Sequence, residues 1–191
     1  MAHGRLRQLL SSVLGMAPEN LEFAAGPHGK PHLAGAAAGS GLHFNLSHSG
    51  DVGLVGWAQG RDIGVDVEVW RPMRDEAALV HRYFSTAEIA AYEALPAASR
   101  TEAFFNCWTR KEAYIKAVGR GLGLPLDSFD VSLDSGSGAR LLRPSALCDD
   151  GRQWSLAAPL FAPRLSLAVV LAGPDVRVEV AMRDDQSLPG L

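Results

Sequence analysis

An α+β fold is what this sequence predicts, and three observations predict it. Apolar residues recur at helical spacing in two separate stretches, one near the N-terminus and one around residues 101–118. Between and after them lie short runs that alternate apolar with polar residues, the pattern of half-buried antiparallel strands. Residues 60–67, GRDIGVDV, also align without a gap to residues 173–180, GPDVRVEV, each copy following an apolar strand that ends in alanine. If the match is a true repeat, two similar α/β subdomains are related by a pseudo-twofold axis, with antiparallel hairpins packed on long helices. The halves would be residues 1–95 and 96–182, followed by a polar tail at 183–191, and a site between them would draw on both.

The elements follow in chain order. Residues 5–14 carry Leu6, Leu9, Leu10, Val13 and Leu14 on one helical stripe, and Gly15 stops the helix. A loop rich in Gly and Ala is expected over 24–41, carrying Gly29-Lys30-Pro31. Residues 42–46 read as a short strand that breaks into Ser47-His48-Ser49-Gly50. Residues 52–58 form a second strand, 59–62 a turn, and 63–69 a third. Residues 71–95 read as helical, with Ser85 and Glu88 spaced as a capping box and Pro96 as the stop. A second long helix spans about 101–118, bounded by Gly119. Later strands are expected at 154–157, 165–172 and 176–182.

Composition excludes several classes. The chain of 191 residues is 47% hydrophobic and 20% charged with a net charge of −3, enough to bury a core and unlike a disordered chain. No apolar run reaches the length of a membrane span, and the N-terminus MAHGRLRQLL lacks a secretory apolar core. Two cysteines, Cys107 and Cys148, are too few for a disulfide scaffold, so a reducing cytoplasm is expected. Five of six histidines fall in the first 48 residues, but their spacings fit no zinc pattern. Of 18 cationic residues only Lys30, Lys111 and Lys116 are lysines, which raises what a compact ammonium does there that a guanidinium would not.

Two constellations carry chemistry. On strand 63–69, Ile63, Val65, Val67 and Val69 share one face, and Gly64, Asp66, Glu68 and Trp70 the other. A solvated hairpin face would explain the second set. Equally, Asp66 and Glu68 lie on one side roughly 7 Å apart, a pair that a divalent cation can bridge. On the helix, Glu112 and Lys116 stand at i and i+4; a surface ion pair worth a few tenths of a kcal/mol would look the same. Together Asp66, Glu68 and Glu112 offer hard oxygen ligands suited to Mg²⁺, while the three lysines, Arg5 and His48 can meet phosphate. An acidic trio with a basic fringe suits chemistry on a pyrophosphate. There is no GxSxG elbow, no Walker A loop and no GxGxxG after a strand. Gly119 to Gly123 follows a helix and reads as a C-cap turn. Ser47 and His48, adjacent in sequence, read as phosphate donors rather than a catalytic pair.

These pieces occur in one order: Gly29-Lys30-Pro31, Phe44 to Gly50, Ile63 to Glu68, Arg82 to Ser85 with Glu88, Trp108 to Lys116, and Gly119 to Phe129. In that order the chain resembles the 4′-phosphopantetheinyl transferases, in particular the larger pseudo-dimeric type that acts on peptide and polyketide synthases. The resemblance covers residues 4–130. It implies that Asp66, Glu68 and Glu112 hold Mg²⁺, with Mn²⁺ as the alternative, at the pyrophosphate of coenzyme A. Lys116 would bind that pyrophosphate and assist the departing charge. Lys30, Ser47 and His48 would contact the nucleotide phosphates, with Gly29 and Asn45 in the same two segments and Lys111 as a further member. Arg5 would take the 3′-phosphate. Catalysis would fall to Glu112 as general base, Lys116 and Asp66, moving phosphopantetheine to a serine of an acyl or peptidyl carrier protein. The chain begins almost at its first helix, where members of this type carry a longer N-terminal segment, and this bears most on Arg5 and the adenine side. A fused pair of halves would act as a monomer, with no nucleic-acid or membrane partner expected. Two alternatives remain: a catalytically silent relative that binds coenzyme A or a carrier, and a Mg²⁺-dependent hydrolase of a nucleotide pyrophosphate.

Overall fold

A computed structural model describes residues 2–135, 138–148, 151–175 and 177–181. Helix α1 (Ala2–Leu14) buries Leu6 and Leu10, one turn apart, against Leu21, Leu33 and Phe44. Gly15, at φ +64°, ends it in the left-handed conformation that lacks a Cβ penalty. Next come two short strands, β1 (Glu22–Ala25) and β2 (Pro31–Ala34), paired antiparallel with Phe23 opposite Leu33. The sequence reading placed a loop over 24–41. The segment has no β-branched residue and no alternation to announce strands, and it is held by backbone pairing and by Leu33 and Ala37 in the small core.

Strands β3 (Leu42–Ser49) and β4 (Val52–Gln59) form a hairpin eight residues deep, from Leu42 opposite Gln59 to Ser49 opposite Val52. The strand therefore runs on through Ser49, where a break after Leu46 was expected. Strand β5 (Ile63–Val69) does not join the backbone ladder of that hairpin. It pairs antiparallel with β9 (Leu165–Ala172), which also pairs with β8 (Trp154–Ala157), in the order β5-β9-β8. The other edge of β5 is satisfied by side chains of β3. Asn45 Oδ1 accepts the Val65 amide at 2.8 Å, and Ser49 Oγ accepts the Val69 amide at 3.1 Å. Polar residues on β3 thus do the work of a neighbouring backbone.

The helical run expected over 71–95 is two helices, α2 (Glu76–Tyr83) and α3 (Thr86–Glu93). The capping box itself causes the break. Ser85 adopts extended dihedrals so that its hydroxyl can accept the Glu88 amide, while Glu88 accepts the Ser85 amide at 2.8 Å. Helix α4 (Ala97–Val118) starts four residues earlier than expected and ends at Gly119, φ +77°. It is buried nearly all round: Phe104, Phe105, Tyr114 and Ile115 pack with Phe84, Phe129 and Val170. Strands β6 (Asp130–Val131) and β7 (Leu141–Arg143) cover its side. No helix among the described residues is long and apolar enough to cross a membrane.

Of the strand expected at 176–182, residues 177–181 are irregular, and 176 and 182–191, with the tail at 183–191, lie outside the described residues. Gly173, at φ +101°, turns the chain away from β9. The Arg61 guanidinium then collects the carbonyls of Ala172 (2.5 Å), Pro174 (3.1 Å) and Asp175 (3.3 Å). Residues 60–67 thus run into β5, whereas the described residues of 173–180 form no strand, and Arg61 holds two carbonyls at the start of that second copy.

Candidate active site

Alternation along β5 places Gly64, Asp66 and Glu68 on the face that α4 covers. A Cβ at Gly64 would collide with the Ala113 carbonyl oxygen and the Ala117 amide, and would sit 2.8 Å from the Ala117 Cα. Only glycine lets the helix backbone lie directly on the strand here. Ala113 and Ala117 form the contact face of α4, and Glu112 and Lys116 each precede one of them. That offset swings the carboxylate and the ammonium toward the Asp66 side of the strand. Farther along, Trp70 Nε1 donates to Ser166 Oγ (2.8 Å), which donates to Asn106 Oδ1 (2.7 Å), tying β5, β9 and α4 together.

At the centre, Lys116 Nζ lies 2.6 Å from Asp66 Oδ1 and donates to Ser47 Oγ at 3.1 Å. The Ser47 hydroxyl donates to the same Asp66 oxygen at 2.6 Å. Asp66 is 4% exposed, and its second oxygen, Oδ2, is buried with no hydrogen-bond partner. Glu68 Oε2 accepts from Ser49 Oγ (2.6 Å) and from Arg71 (3.2 Å). Burial pushes the Asp66 carboxyl above its ordinary range, opposed by Lys116 and Ser47 and reinforced by Glu68. Glu112 is also pushed up, first by burial and then by the charges of Asp66 and Glu68, with Lys116 opposing.

Three carboxylates share one field, and a buried oxygen is left without a donor; this is the electrostatic demand that a hard divalent cation satisfies. Among the described residues no three such side chains are closed into a finished metal cage. One oxygen of Asp66 and one of Glu68 already accept hydrogen bonds from protein cations and hydroxyls. The donor set fits a cation that also draws ligands from a substrate.

Among the residues expected at the site, Lys111, Lys30 and Asn45 make contacts outside the Asp66–Lys116 centre. Lys111 is fully buried, paired with Glu88 at 2.7 Å and donating to the carbonyls of Leu126 (2.7 Å) and Phe129 (2.8 Å). All its donors are used, so it has none for phosphate. Lys30 Nζ donates to the carbonyls of Ile63 and Ala117, both at 3.0 Å, joining the Gly29 turn to the start of β5 and the end of α4. Burial pulls its pKa down, with Asp62 opposing. Asn45, 4% exposed, spends its carbonyl on the Val65 amide. His48 is exposed, and strand alternation puts it on the opposite face from Ser47. Gly29, at φ +83°, makes the turn before Lys30, and Arg5 lies half buried in α1. Sequence reasoning passed over Ser49, Arg71 and the helix-seating role of Gly64. The period-two row Asn45, Ser47, Ser49 was the available signal for the first of these. A cavity of about 460 Å³ lies apart from this centre, among α3, the start of α4 and β6–β7.

The 4′-phosphopantetheinyl transferase superfamily model matches residues 62–169, a span that contains β5 and α4 and ends within β9. The chain is 36% identical over 170 residues to the 4′-phosphopantetheinyl transferase HetI of Nostoc sp., covering 89% of this chain and 68% of the relative. Identity with a 4′-phosphopantetheinyl transferase of Bacillus subtilis is 35% over 128 residues, 67% of this chain and 54% of the relative. With the 4′-phosphopantetheinyl transferase Sfp of Bacillus subtilis it is 29% over 177 residues, 93% and 75%. The chain thus spans between about half and three quarters of the length of these relatives. With its acidic centre and its helix-on-strand contact inside the matched region, the chain belongs to the 4′-phosphopantetheinyl transferase superfamily.

Proposed function

We propose that the protein transfers 4′-phosphopantetheine from coenzyme A to a serine of an acyl or peptidyl carrier protein and releases 3′,5′-ADP. The observation that carries this reading is the Asp66–Lys116–Ser47 contact beside Glu68 and Glu112, in a family whose named members are such transferases. Asp66, Glu68 and Glu112 would hold Mg²⁺ or Mn²⁺, which when bound neutralises charge on the pyrophosphate. The serine oxygen forms the new bond to phosphorus as the bond to the 3′,5′-ADP oxygen breaks, and Glu112 accepts the serine proton. Burial and its acidic neighbours, which raise the Glu112 pKa, suit it to taking a proton. Lys116, about a quarter exposed, is the cation free to turn toward the leaving phosphate. Lys30 and Lys111 take structural roles in this reading, and a pseudo-twofold pairing of residues 1–95 with 96–182 in a monomer is part of it.

Incubation with coenzyme A, Mg²⁺ and apo carrier proteins of fatty-acid, polyketide and peptide type tests it. Intact mass should show one added phosphopantetheine on at least one carrier; no gain on any carrier refutes the transfer. Release of 3′,5′-ADP without a modified carrier would favour the hydrolase reading. Glu112→Gln should lower kcat by about 10²-fold or more, the usual contribution of a positioned base. Full turnover with normal metal dependence in that variant would remove Glu112 from the mechanism.

A further inference from the structure

We propose that Lys116 is the resident counter-ion of the acidic centre, and that it couples divalent-cation binding to the arrival of an anionic substrate. The inference rests on the proposed pyrophosphate chemistry of this site and concerns what its residues do before substrate is present.

The centre carries three carboxylates and one nearby ammonium. Lys116 Nζ does not point into solvent; it is drawn 2.6 Å from Asp66 Oδ1 and is held there by Ser47 Oγ as a second acceptor at 3.1 Å. The Ser47 hydroxyl supplies the other hydrogen bond to that oxygen. One oxygen of Asp66 is therefore doubly satisfied while Oδ2, equally buried, has no partner. A divalent cation attracted by the trio meets a positive charge already in place, within hydrogen-bond distance of its central ligand. Like charges at that range weaken binding by about tenfold or more, as they do for protons.

A pyrophosphate reverses the balance. It offers Lys116 stronger acceptors than a serine hydroxyl, because hydrogen bonds between two charged groups are shorter and stronger. The side chain has room to reach one, being 28% exposed where Asp66 is 5%. Moving the ammonium to the phosphate leaves Asp66 Oδ1 with the Ser47 hydroxyl alone, so the trio regains the negative charge that Lys116 had offset as substrate arrives. Cation and substrate then bind cooperatively through one side chain, and by reciprocity each strengthens the other equally. The three lysines divide accordingly: Lys30 and Lys111 are tied to backbone carbonyls, and Lys116 is tied to side chains that a ligand can replace.

Direct binding of Mn²⁺ to the full chain, followed by electron paramagnetic resonance with and without coenzyme A, tests the idea. Lys116→Met should tighten Mn²⁺ binding in the absence of coenzyme A by about tenfold, and the tightening produced by coenzyme A should shrink. Lys116→Arg, which keeps the charge, should leave Mn²⁺ affinity near wild type. Because Lys116→Met could disturb folding, Ser47→Ala serves as the second variant. It weakens the tether without removing charge and should tighten Mn²⁺ binding more modestly. Unchanged or weaker Mn²⁺ binding in a folded Lys116→Met protein, or no Mn²⁺ binding to either protein, overturns the proposal. If the wild-type chain modifies a carrier but these affinities do not move, the counter-ion role falls and the transferase reading stands. If affinities move and no carrier is modified, the reverse holds.

Discussion

Gly64→Ala should lower turnover by about 10²-fold and cost on the order of 3 kcal/mol of stability, although it adds a single methyl group. The added carbon would fall on the Ala113 carbonyl and the Ala117 backbone rather than on the tip of a flexible side chain. Helix α4 cannot yield locally, since Phe104, Phe105, Tyr114 and Ile115 lock it into the main core. The strain is relieved by lifting α4 from β5, which parts Lys116 from Asp66 and moves Glu112 away from both. Loss of position of about 1 Å is enough to cost the stated factor. Thermal melting and carrier modification at a temperature where the variant is folded check this together. Turnover and melting temperature both within a narrow margin of wild type would show that the helix–strand contact is looser than the geometry indicates.

Lys111→Met should destabilise the protein by about 3–5 kcal/mol, a large part of the stability typical of a small domain. Lys111 is fully buried, with its ammonium on Glu88, two carbonyls and the ring of Phe129 at 4.4 Å. Glu88, 2% exposed, also accepts the amides of Ser85 and Val131 at 2.8 Å, so one ion pair pins α3, α4 and β6. Removing the lysine leaves a buried carboxylate without its cation and two carbonyls without a donor. Adding Glu88→Gln to Lys111→Met should recover part of the loss, because the stranded charge is then gone. Urea denaturation of the single and double variants measures both. Where Lys111→Met remains folded, its KM for coenzyme A should match wild type. A raised KM with little loss of stability would instead return Lys111 to the phosphate site.

Much of the centre was legible in the sequence because it depends on short periods. Alternation on 63–69 put Asp66 and Glu68 on the face of Gly64, and helical spacing put Glu112 beside Lys116; the structure keeps both relations. The capping box at Ser85 and Glu88 was equally local, although its consequence, two helices instead of one, was not drawn from it. Chemical type proved a weaker guide than period. Scarce lysines suggested a shared phosphate role, yet an ammonium can equally be engaged by backbone carbonyls, as those of Lys30 and Lys111 are.

Period and residue type, read along one chain, determined the elements, the two faces of β5 and the set of charged groups that could meet. Partnership between elements was decided only by the tertiary structure. The sequence does not state that β5 pairs with β9 rather than β4, that β3 satisfies amides on its other edge through Asn45 and Ser49, or that Arg61 holds the carbonyls at and after Ala172. Those outcomes compare the burial and hydrogen bonding of whole surfaces, and sequence neighbours carry no record of that comparison. Gly64 joins the two levels: its missing side chain is plain in the sequence, and only the helix lying on it shows why nothing larger fits.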